Sequence, residues 1–291
     1  MSPAKSIRRR GIYLLPNLLT SAALFAGFYS IISGINGKFE PAAIAIIVAG
    51  LLDGLDGRVA RLMNTQSDFG EQYDSLADLI SFGLAPALLA FNWSLASLSE
   101  ISIMIGKLGW LAAFLYVACA ALRLARFNTQ VGVADKRYFQ GLASPAAAGT
   151  LVFTIWFFID NDVAGETVSW LIFFETIVLG ILMFSRIRYF SFKAGPSGDK
   201  VPAVWIFVAV LIIVLLALDP PIMGMLFGIA YVISGLLITV IGRRNWKLKR
   251  KQRPAKQKRE EPIMGQGLPK AEDFTDSDNG DSHRSGRPYD Q

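Results

Sequence analysis

Residues 53–78 read DGLDGRVARLMNTQSDFGEQYDSLAD, and this stretch decides the fold. Four of its aspartates lie inside or at the ends of two strongly apolar segments: Asp53, Asp56, Asp74 and Asp78. An ionisable group at membrane depth is costly, and such groups usually face a cavity and serve function. Four of them close together in sequence therefore predict a site that holds cations.

The spacing of these acids supports the same interpretation. Asp53 and Asp56 are three residues apart, and Asp74 and Asp78 are four apart, so each pair leaves one face of a helix. If the two helices form an antiparallel pair through a turn at 64–70, the four carboxylates converge. Oxygen ligands of this kind suit Mg²⁺, Mn²⁺ or Ca²⁺ rather than zinc.

The residues beside the first acid pair are suited to a large anionic ligand. Gly57 and Ala60 continue the helical stripe of Asp53 and leave room on it for a bulky group. Arg58 and Arg61 supply positive charge at the mouth of the site, where a phosphate would lie.

The chain resembles the CDP-alcohol phosphatidyltransferase family, whose signature it matches at every fixed position: Asp53-x2-Asp56-Gly57-x2-Ala60-Arg61-x8-Gly70-x3-Asp74-x3-Asp78. The resemblance implies an integral membrane enzyme that moves a phosphatidyl or related group from a CDP-linked donor to an alcohol and releases CMP. It also implies that the four aspartates hold two divalent cations on the donor's diphosphate. Asp78 is then the base that deprotonates the acceptor hydroxyl. We expect Mg²⁺ or Mn²⁺, with Ca²⁺ as an alternative at one site.

The family also implies a site for the donor, CDP-diacylglycerol. Asn17 and Thr20 share a face near the start of the first apolar run, where they either cap the helix or contact the cytidine or diphosphate. The donor site predicted in full comprises Asn17, Thr20, Gly57, Ala60, Arg61, Ser67 and Gly70.

Three further blocks resemble the phosphatidylserine synthase branch of this family: SLADLISFGLAPA (75–87), RLARFN (123–128) and FQGLASPAAA (139–148). The chain departs from the branch at Ala143, where a proline is usual. The acceptor implied is L-serine, and its carboxylate needs a cation. Arg123 and Arg126 are the candidates, with snorkelling arginines that fix helix depth as the alternative. Tyr189 is a weaker candidate, interpreted mainly as a lipid-facing anchor.

The composition excludes several other kinds of chemistry. Hydrophobic residues make up 53% of the 291, and there is one cysteine and one histidine, Cys119 and His283. A single cysteine cannot form an intramolecular disulfide, and a lone tail histidine removes serine–histidine and zinc–histidine sites from the membrane part. The net charge of +6 comes largely from residues that flank apolar runs, which favours contact with anionic lipid over nucleic acid.

The apolar runs predict an all-α integral membrane protein with about eight transmembrane helices and a polar active-site cavity facing the cytoplasm. The predicted spans are 12–35, 41–63, 71–93, 107–128, 144–159, 166–184, 201–218 and 221–241. A basic interfacial segment, 1–11, precedes a transmembrane domain, 12–242. A disordered cytosolic tail, 243–291, follows it, with a basic and then an acidic half.

The loops predict the orientation. Every second connection is rich in lysine and arginine, beginning with 5–10, and the alternate connections are poor in both. The positive-inside rule therefore places both termini and the active site on the cytoplasmic side of a bacterial-type inner membrane. The family resemblance further implies a homodimer.

Two alternatives remain open at this point. The same transfer could use another alcohol, such as glycerol 3-phosphate or inositol. A cation transporter would also place carboxylates in the membrane, although it would not require the fixed glycine, alanine and arginine positions of the motif.

Overall fold

The computed structural model describes residues 14–63, 67–129, 138–185, 187–190 and 203–251. The predicted interfacial segment, 1–11, and most of the predicted tail lie outside these residues. The chain divides into two compact units, residues 1–245 and 246–291. The helix packing and the candidate site lie within the first unit.

The described part of the chain is almost entirely helical, as predicted. Its α-helices are α1 Leu14–Ile35, α2 Phe39–Leu62, α3 Asp68–Asp78, α4 Ala85–Trp93, α5 Leu98–Ile101, α6 Ile103–Thr129, α7 Ser144–Asp160, α8 Ser169–Phe184, α9 Ala203–Leu218 and α10 Pro220–Lys251. A π-helical segment, Leu79–Leu84, joins α3 to α4, and a 3₁₀ turn, Leu95–Ser97, follows α4. Two short strands, β1 Tyr138–Gln140 and β2 Arg188–Phe190, pair in an antiparallel ribbon.

Each of the eight predicted spans is helical over most of its length. Four helices are long and apolar enough to cross a membrane: Leu15–Ile35, Asp68–Trp93, Ile103–Thr129 and Pro220–Thr239. Two more apolar helices, α7 and α8, are shorter. Helix α2 has 24 residues but carries Glu40, Asp53 and Asp56 within its length, so its composition is less apolar. The total of eight spans remains a prediction.

Small side chains let the central helices approach closely. Helix α1 packs along α2, and α2 packs in turn against α7. Gly27 in α1 faces Ser81, where a Cβ added to the glycine would lie 2.5 Å from the Ser81 Oγ and 2.8 Å from its Cα. The Ser81 hydroxyl donates a hydrogen bond of 3.1 Å to the carbonyl of Ala23. Close approach through small residues is typical of helices packed in membranes.

The π-helical segment has an identifiable cause. Pro86 has no N–H, so it cannot donate to the carbonyl of Phe82 four residues earlier. The Tyr116 hydroxyl of α6 donates to that carbonyl instead, at 3.3 Å. The N–H of Ala85 reaches back five residues to Ile80, which is the π-helical pattern. The widened turn lies directly after Asp78, where the site-bearing helix α3 ends.

The β1–β2 ribbon closes over the end of α8. Gly141 follows β1 with φ +86°, and a Cβ there would clash with the carbonyl oxygen of Met183. Its N–H donates to the carbonyl of Ile187 at 2.8 Å. Tyr189 in β2 is fully buried and lies against Tyr231 of α10, with ring centroids 5.5 Å apart. The interpretation of Tyr189 as a lipid-facing anchor is therefore wrong.

Helix α10 extends past the predicted span end at 241 to Lys251. The first residues of the predicted disordered tail are thus helical, and 252–291 lie outside the described residues. Within α10, a Cβ at Gly224 would clash with the ring of Phe153 in α7. The glycine therefore allows α10 to approach α7 closely.

We predict that Gly27→Ala destabilises the bundle, because the new methyl group must displace the Ser81 backbone as well as its side chain. Overpacking of this kind costs about 1–3 kcal/mol in the free energy of unfolding. The thermal unfolding midpoint of the detergent-solubilised protein should fall accordingly.

Gly34→Ala in the same helix is the matched control. Its new Cβ would have its nearest neighbour at 3.8 Å, the Asn92 Nδ2, which is an ordinary contact. Alanine is favoured over glycine within a helix by about 0.5–1 kcal/mol, so this variant should be at least as stable as the parent. Equal midpoints for the Gly27 and Gly34 variants would contradict the close approach of α1 to Ser81.

Candidate active site

Three carboxylates from two helices meet in the first unit. Asp53 and Asp56 project from α2 and Asp74 from α3, and one carboxylate oxygen from each lies within 4.8 Å of the others. The spacing of three residues on α2 places its two acids on one face, as the sequence predicts. The convergence expected from the two helices is therefore present.

Asp78, the last residue of α3, completes the group. Asp53, Asp74 and Arg123 are its charged neighbours. One turn separates Asp74 from Asp78, so both face α2. The fourth acid of the motif thus adjoins the cluster.

Helix α1 orients the most buried of these acids. Asp56 is 5% exposed, and its Oδ2 accepts a hydrogen bond of 2.6 Å from the Thr20 hydroxyl. The same hydroxyl lies 3.1 Å from the carbonyl oxygen of Pro16. Thr20 therefore hydrogen-bonds to a carboxylate of the cluster. The sequence had suggested only a helix cap or a contact with the cytidine or diphosphate for this residue.

The start of α3 differs from the predicted turn. Helix α3 begins at Asp68, so Gly70 lies in its first turn rather than at the end of a loop. Ser67 is the N-cap, and its hydroxyl accepts a hydrogen bond of 3.1 Å from the N–H of Gly70. This is a standard side-chain cap, and it fixes where the helix carrying Asp74 and Asp78 begins.

A cavity of about 460 Å³ opens beside the carboxylates. It is lined by Pro16, Asn17, Thr20, Asp56, Gly57, Ala60, Ser67, Asp68, Gly70, Glu71 and Asp74. Six of the seven residues predicted for the donor site are therefore on its wall. The seventh, Arg61, is exposed in the last turn of α2 and is not among the lining residues. A Cβ at Gly57 would meet nothing within 4 Å, so the glycine keeps this wall open.

The donor set fits divalent cations. Carboxylates held within 4.8 Å of one another repel unless positive charge compensates them. Several carboxylate oxygens from rigid helices are the ligands that Mg²⁺ and Mn²⁺ prefer. Asp53, Asp56 and Asp74 would hold such ions directly, with Asp78 adjoining them.

Arg123 of α6 is a further charged neighbour of the cluster and does not line the cavity. Its Nη1 donates a hydrogen bond of 2.6 Å to the hydroxyl of Ser144, the first residue of α7. Asp78 is its principal charged neighbour. The buried Nε has no hydrogen-bond partner in the described part of the chain. The guanidinium therefore retains one buried donor that no described residue uses.

Arg126, one turn further along α6, has different contacts. Its Nη1 donates to the carbonyl oxygen of Phe184 at 2.9 Å, and its guanidinium lies over the Phe184 ring at 5.5 Å from the centroid. Phe184 is the last residue of α8, where carbonyl groups lack intrahelical partners and positive charge is favourable. Arg126 thus caps α8.

The structure also shows polar residues near the site that the sequence analysis missed. Tyr73 and Ser75 flank Asp74 on α3, and their hydroxyls contact Ser21 of α1 and Asn128 of α6, respectively. Their positions next to Asp74 in the motif could have marked them as site residues. Their hydrogen-bond partners could not be predicted from the sequence, because they lie more than 50 residues away. Only the fold brings them together.

The chain matches known proteins over most of its length. It is 37% identical over 230 residues to a CDP-diacylglycerol–serine O-phosphatidyltransferase of Helicobacter pylori (strain ATCC 700392 / 26695), covering 78% of this chain and 91% of that protein. A protein of the same name from Mycobacterium leprae (strain TN) is 32% identical, over 64% of this chain and 61% of its own. An archaetidylserine synthase of Methanothermobacter thermautotrophicus is 35% identical, over 60% and 69%.

The family model for CDP-alcohol phosphatidyltransferase matches residues 13–182. This range contains α1 to α7 and nearly all of α8, and so every carboxylate of the cluster, the cavity and Arg123. With four helices long and apolar enough to span a bilayer, the chain is an integral membrane protein. It belongs to the CDP-alcohol phosphatidyltransferase family.

Proposed function

We propose that this protein transfers the phosphatidyl group from CDP-diacylglycerol to L-serine, giving phosphatidylserine and CMP. The observation that carries the proposal is the convergence of the aspartates beside an open cavity, with Arg123 as a charged neighbour of Asp78. The relatives support serine as the acceptor, because the names of those described above all refer to serine or archaetidylserine synthesis. Membership of a transferase family speaks against the cation-transporter alternative.

The cavity is the proposed site of the CDP part of the donor. Asp56 and Asp74 line it, so a diphosphate there would lie beside the proposed cation ligands. Asn17, Ser67 and the open wall at Gly57 leave polar groups and space for the nucleotide. Arg61 is exposed at the end of α2 and does not line the cavity, so its contact with a phosphate stays a prediction.

Asp53, Asp56, Asp74 and Asp78 would hold two divalent cations, Mg²⁺ or Mn²⁺, with Ca²⁺ as an alternative at one site. Bound there, such ions neutralise the negative charge of the diphosphate and of the departing CMP. Thr20 orients the Asp56 carboxylate toward this position through its 2.6 Å hydrogen bond. Because hydrogen-bonded partners of metal ligands fix their orientation, Thr20 belongs to the machinery of the site.

Asp78 is the proposed general base. It accepts the proton of the serine hydroxyl as the serine oxygen forms a bond to the lipid-side phosphorus. The bond from that phosphorus to the CMP oxygen breaks, and CMP leaves with the electron pair. Positioning and electrostatics supply most of the acceleration in such transfers, so the placement of Asp78 at the end of α3 matters more than its basicity.

Arg123 is the proposed partner of the serine carboxylate. Its guanidinium donates a hydrogen bond to Ser144, keeps a buried Nε donor without a described partner, and has Asp78 as a charged neighbour. A planar guanidinium can pair with a carboxylate through two parallel hydrogen bonds. Arg126, the other predicted candidate, contacts Phe184 at the end of α8, so its contacts favour a structural role.

The topology remains part of the proposal. Eight transmembrane helices, with both termini and the cavity on the cytoplasmic side, would let soluble serine enter and CMP leave on the side where both are found. The lysines and arginines in the connections proposed to be cytoplasmic favour contact with anionic lipid. A homodimer is expected from the family.

We predict that Asp78→Asn abolishes turnover while the protein stays folded. Loss of a positioned base should lower the rate of serine-dependent CMP release by about 100-fold or more. Asp160→Asn is the control, because Asp160 is exposed at the far end of α7, about 25 Å along that helix from Ser144. Near-normal CMP release by the Asp78 variant would refute its role as the base.

We predict that a metal chelator stops CMP release and that Mg²⁺ or Mn²⁺ restores it. Without a divalent cation, the clustered carboxylates would repel the donor's diphosphate. The assay uses purified protein, CDP-diacylglycerol in detergent micelles and L-serine. Full activity in excess chelator would remove the metal from the mechanism.

We predict that Arg123→Lys raises the KM for serine at least tenfold with a much smaller change in the KM for CDP-diacylglycerol. Lysine keeps the charge but loses the planar fork. Arg126→Lys is the matched comparison on the same helix. It should lower the thermal unfolding midpoint, because it weakens the cap on α8, and leave the KM for serine near that of the parent. If Arg126→Lys raised the KM for serine and Arg123→Lys only lowered the unfolding midpoint, Arg126 rather than Arg123 would bind the serine carboxylate.

A further inference from the structure

The attachment of α3 to the rest of the bundle is weaker than that of the other site helices. Ala77 is the buried residue of its eleven, and Phe69 and Leu76 are 70% and 63% exposed. Apolar burial therefore contributes little to fixing its position. Yet α3 carries Asp74 and Asp78, whose oxygens must be placed to within a fraction of an ångström to bind a metal ion.

Side-chain hydrogen bonds hold α3 from two sides. Toward α1, the Tyr73 hydroxyl lies 2.8 Å from the hydroxyl of Ser21. Toward α6, the Asn128 Nδ2 donates a hydrogen bond of 3.1 Å to the Ser75 Oγ. Among the described residues, helix α3 packs along α1 and the π-helical segment but makes little backbone contact with α6. The Asn128–Ser75 hydrogen bond therefore links two helices that are not closely packed.

The hydrogen bonds at Ser75 are mutually consistent. A serine hydroxyl has one hydrogen to donate, and the Ser75 Oγ lies 3.0 Å from the carbonyl oxygen of Glu71 and 3.2 Å from the Asn128 Oδ1. If the hydroxyl donates to Glu71, it accepts from the Asn128 amide without conflict. The Asn128 Nδ2 also lies 3.5 Å from the Gln72 Oε1. Asn128 thus contacts two residues in the middle of α3, Gln72 and Ser75.

We propose that Asn128 is a positioning residue that holds the α3 carboxylates in register with α2 and with Arg123. Asn128 lies five residues after Arg123 on α6. The same helix therefore carries the residue proposed to bind the serine carboxylate and the residue that hydrogen-bonds to α3. Asn128 contacts Ser75, which immediately follows Asp74 and precedes Asp78 by three residues. The inference rests on the proposed metal site, because its effect is exerted through Asp74 and Asp78.

The test measures Mn²⁺ binding to the full-length protein in nanodiscs, without substrates, from the electron paramagnetic resonance signal of free Mn²⁺. Asn128→Ala and Ser75→Ala should each raise the dissociation constant about tenfold or more, in the range seen when hydrogen-bonded partners of metal ligands are removed. The double variant should bind no more weakly than either single one, because both remove the same contact. Ser75→Thr, which keeps the hydroxyl, should retain the parent affinity.

Thr129→Ala is the matched control. Its hydroxyl is exposed at the next position of α6 and donates to the carbonyl oxygen of Arg126, away from α3, so its Mn²⁺ affinity should equal that of the parent. Should Asn128→Ala fail to fold, the Ser75 variants carry the measurement alone.

The outcomes separate the two proposals. Unchanged Mn²⁺ affinity in Asn128→Ala or Ser75→Ala, with normal binding by the parent, overturns the positioning role and leaves the proposed function intact. Additive losses in the double variant also overturn it, because the residues would then act independently. A parent protein that binds no Mn²⁺ overturns the metal site itself and the proposed function with it.

Discussion

The structure depends on holding several carboxylates together inside an apolar helical bundle. Oxygens of Asp53, Asp56 and Asp74 lie within 4.8 Å of one another, and Asp78 is a charged neighbour of Asp53 and Asp74. Like charges at this separation repel strongly where the dielectric constant is low. The arrangement is stable only if neighbouring donors and bound cations offset the repulsion, and much of the surrounding structure serves that end.

The surroundings of the cluster divide into two sides with different chemistry. On one side α1 and the capped start of α3 enclose a cavity of about 460 Å³ that the donor's nucleotide would fill. On the other side α6 and α7 bring Arg123 and Ser144 toward Asp78. If Asp78 is the base, as proposed, its place beside both would suit the transfer of a group from a large anionic donor to a small carboxylated alcohol.

Sequence alone predicted the helical membrane architecture and the acid cluster, because both depend on local patterns. Apolar runs of bilayer length indicate helices, and aspartates three or four residues apart share a face whatever the tertiary structure. The roles of Arg123 and Arg126 could not be separated in this way. The two arginines are three residues apart at one helix end, and what distinguishes them is Ser144 for the first and Phe184 for the second.

Other features depend on contacts between distant parts of the chain. Pro86 cannot complete the hydrogen-bond pattern of the third span, and the Tyr116 hydroxyl instead bonds the carbonyl that the proline leaves free. The burial of Tyr189 likewise depends on its packing against Tyr231. Neither partner is indicated by local sequence, since each lies 30 residues or more away.

The most direct test of the shared pocket is the electron paramagnetic resonance spectrum of Mn²⁺-loaded protein. Two ions bridged by common carboxylates at short separation give a spin-coupled spectrum, whereas separate ions give the simple six-line signal. We expect a coupled pair in the parent protein and its loss in Asp74→Asn, which removes the α3 carboxylate that lies within 4.8 Å of Asp53 and Asp56. Isolated ions whose spectrum is unaffected by Asp74→Asn would contradict the account.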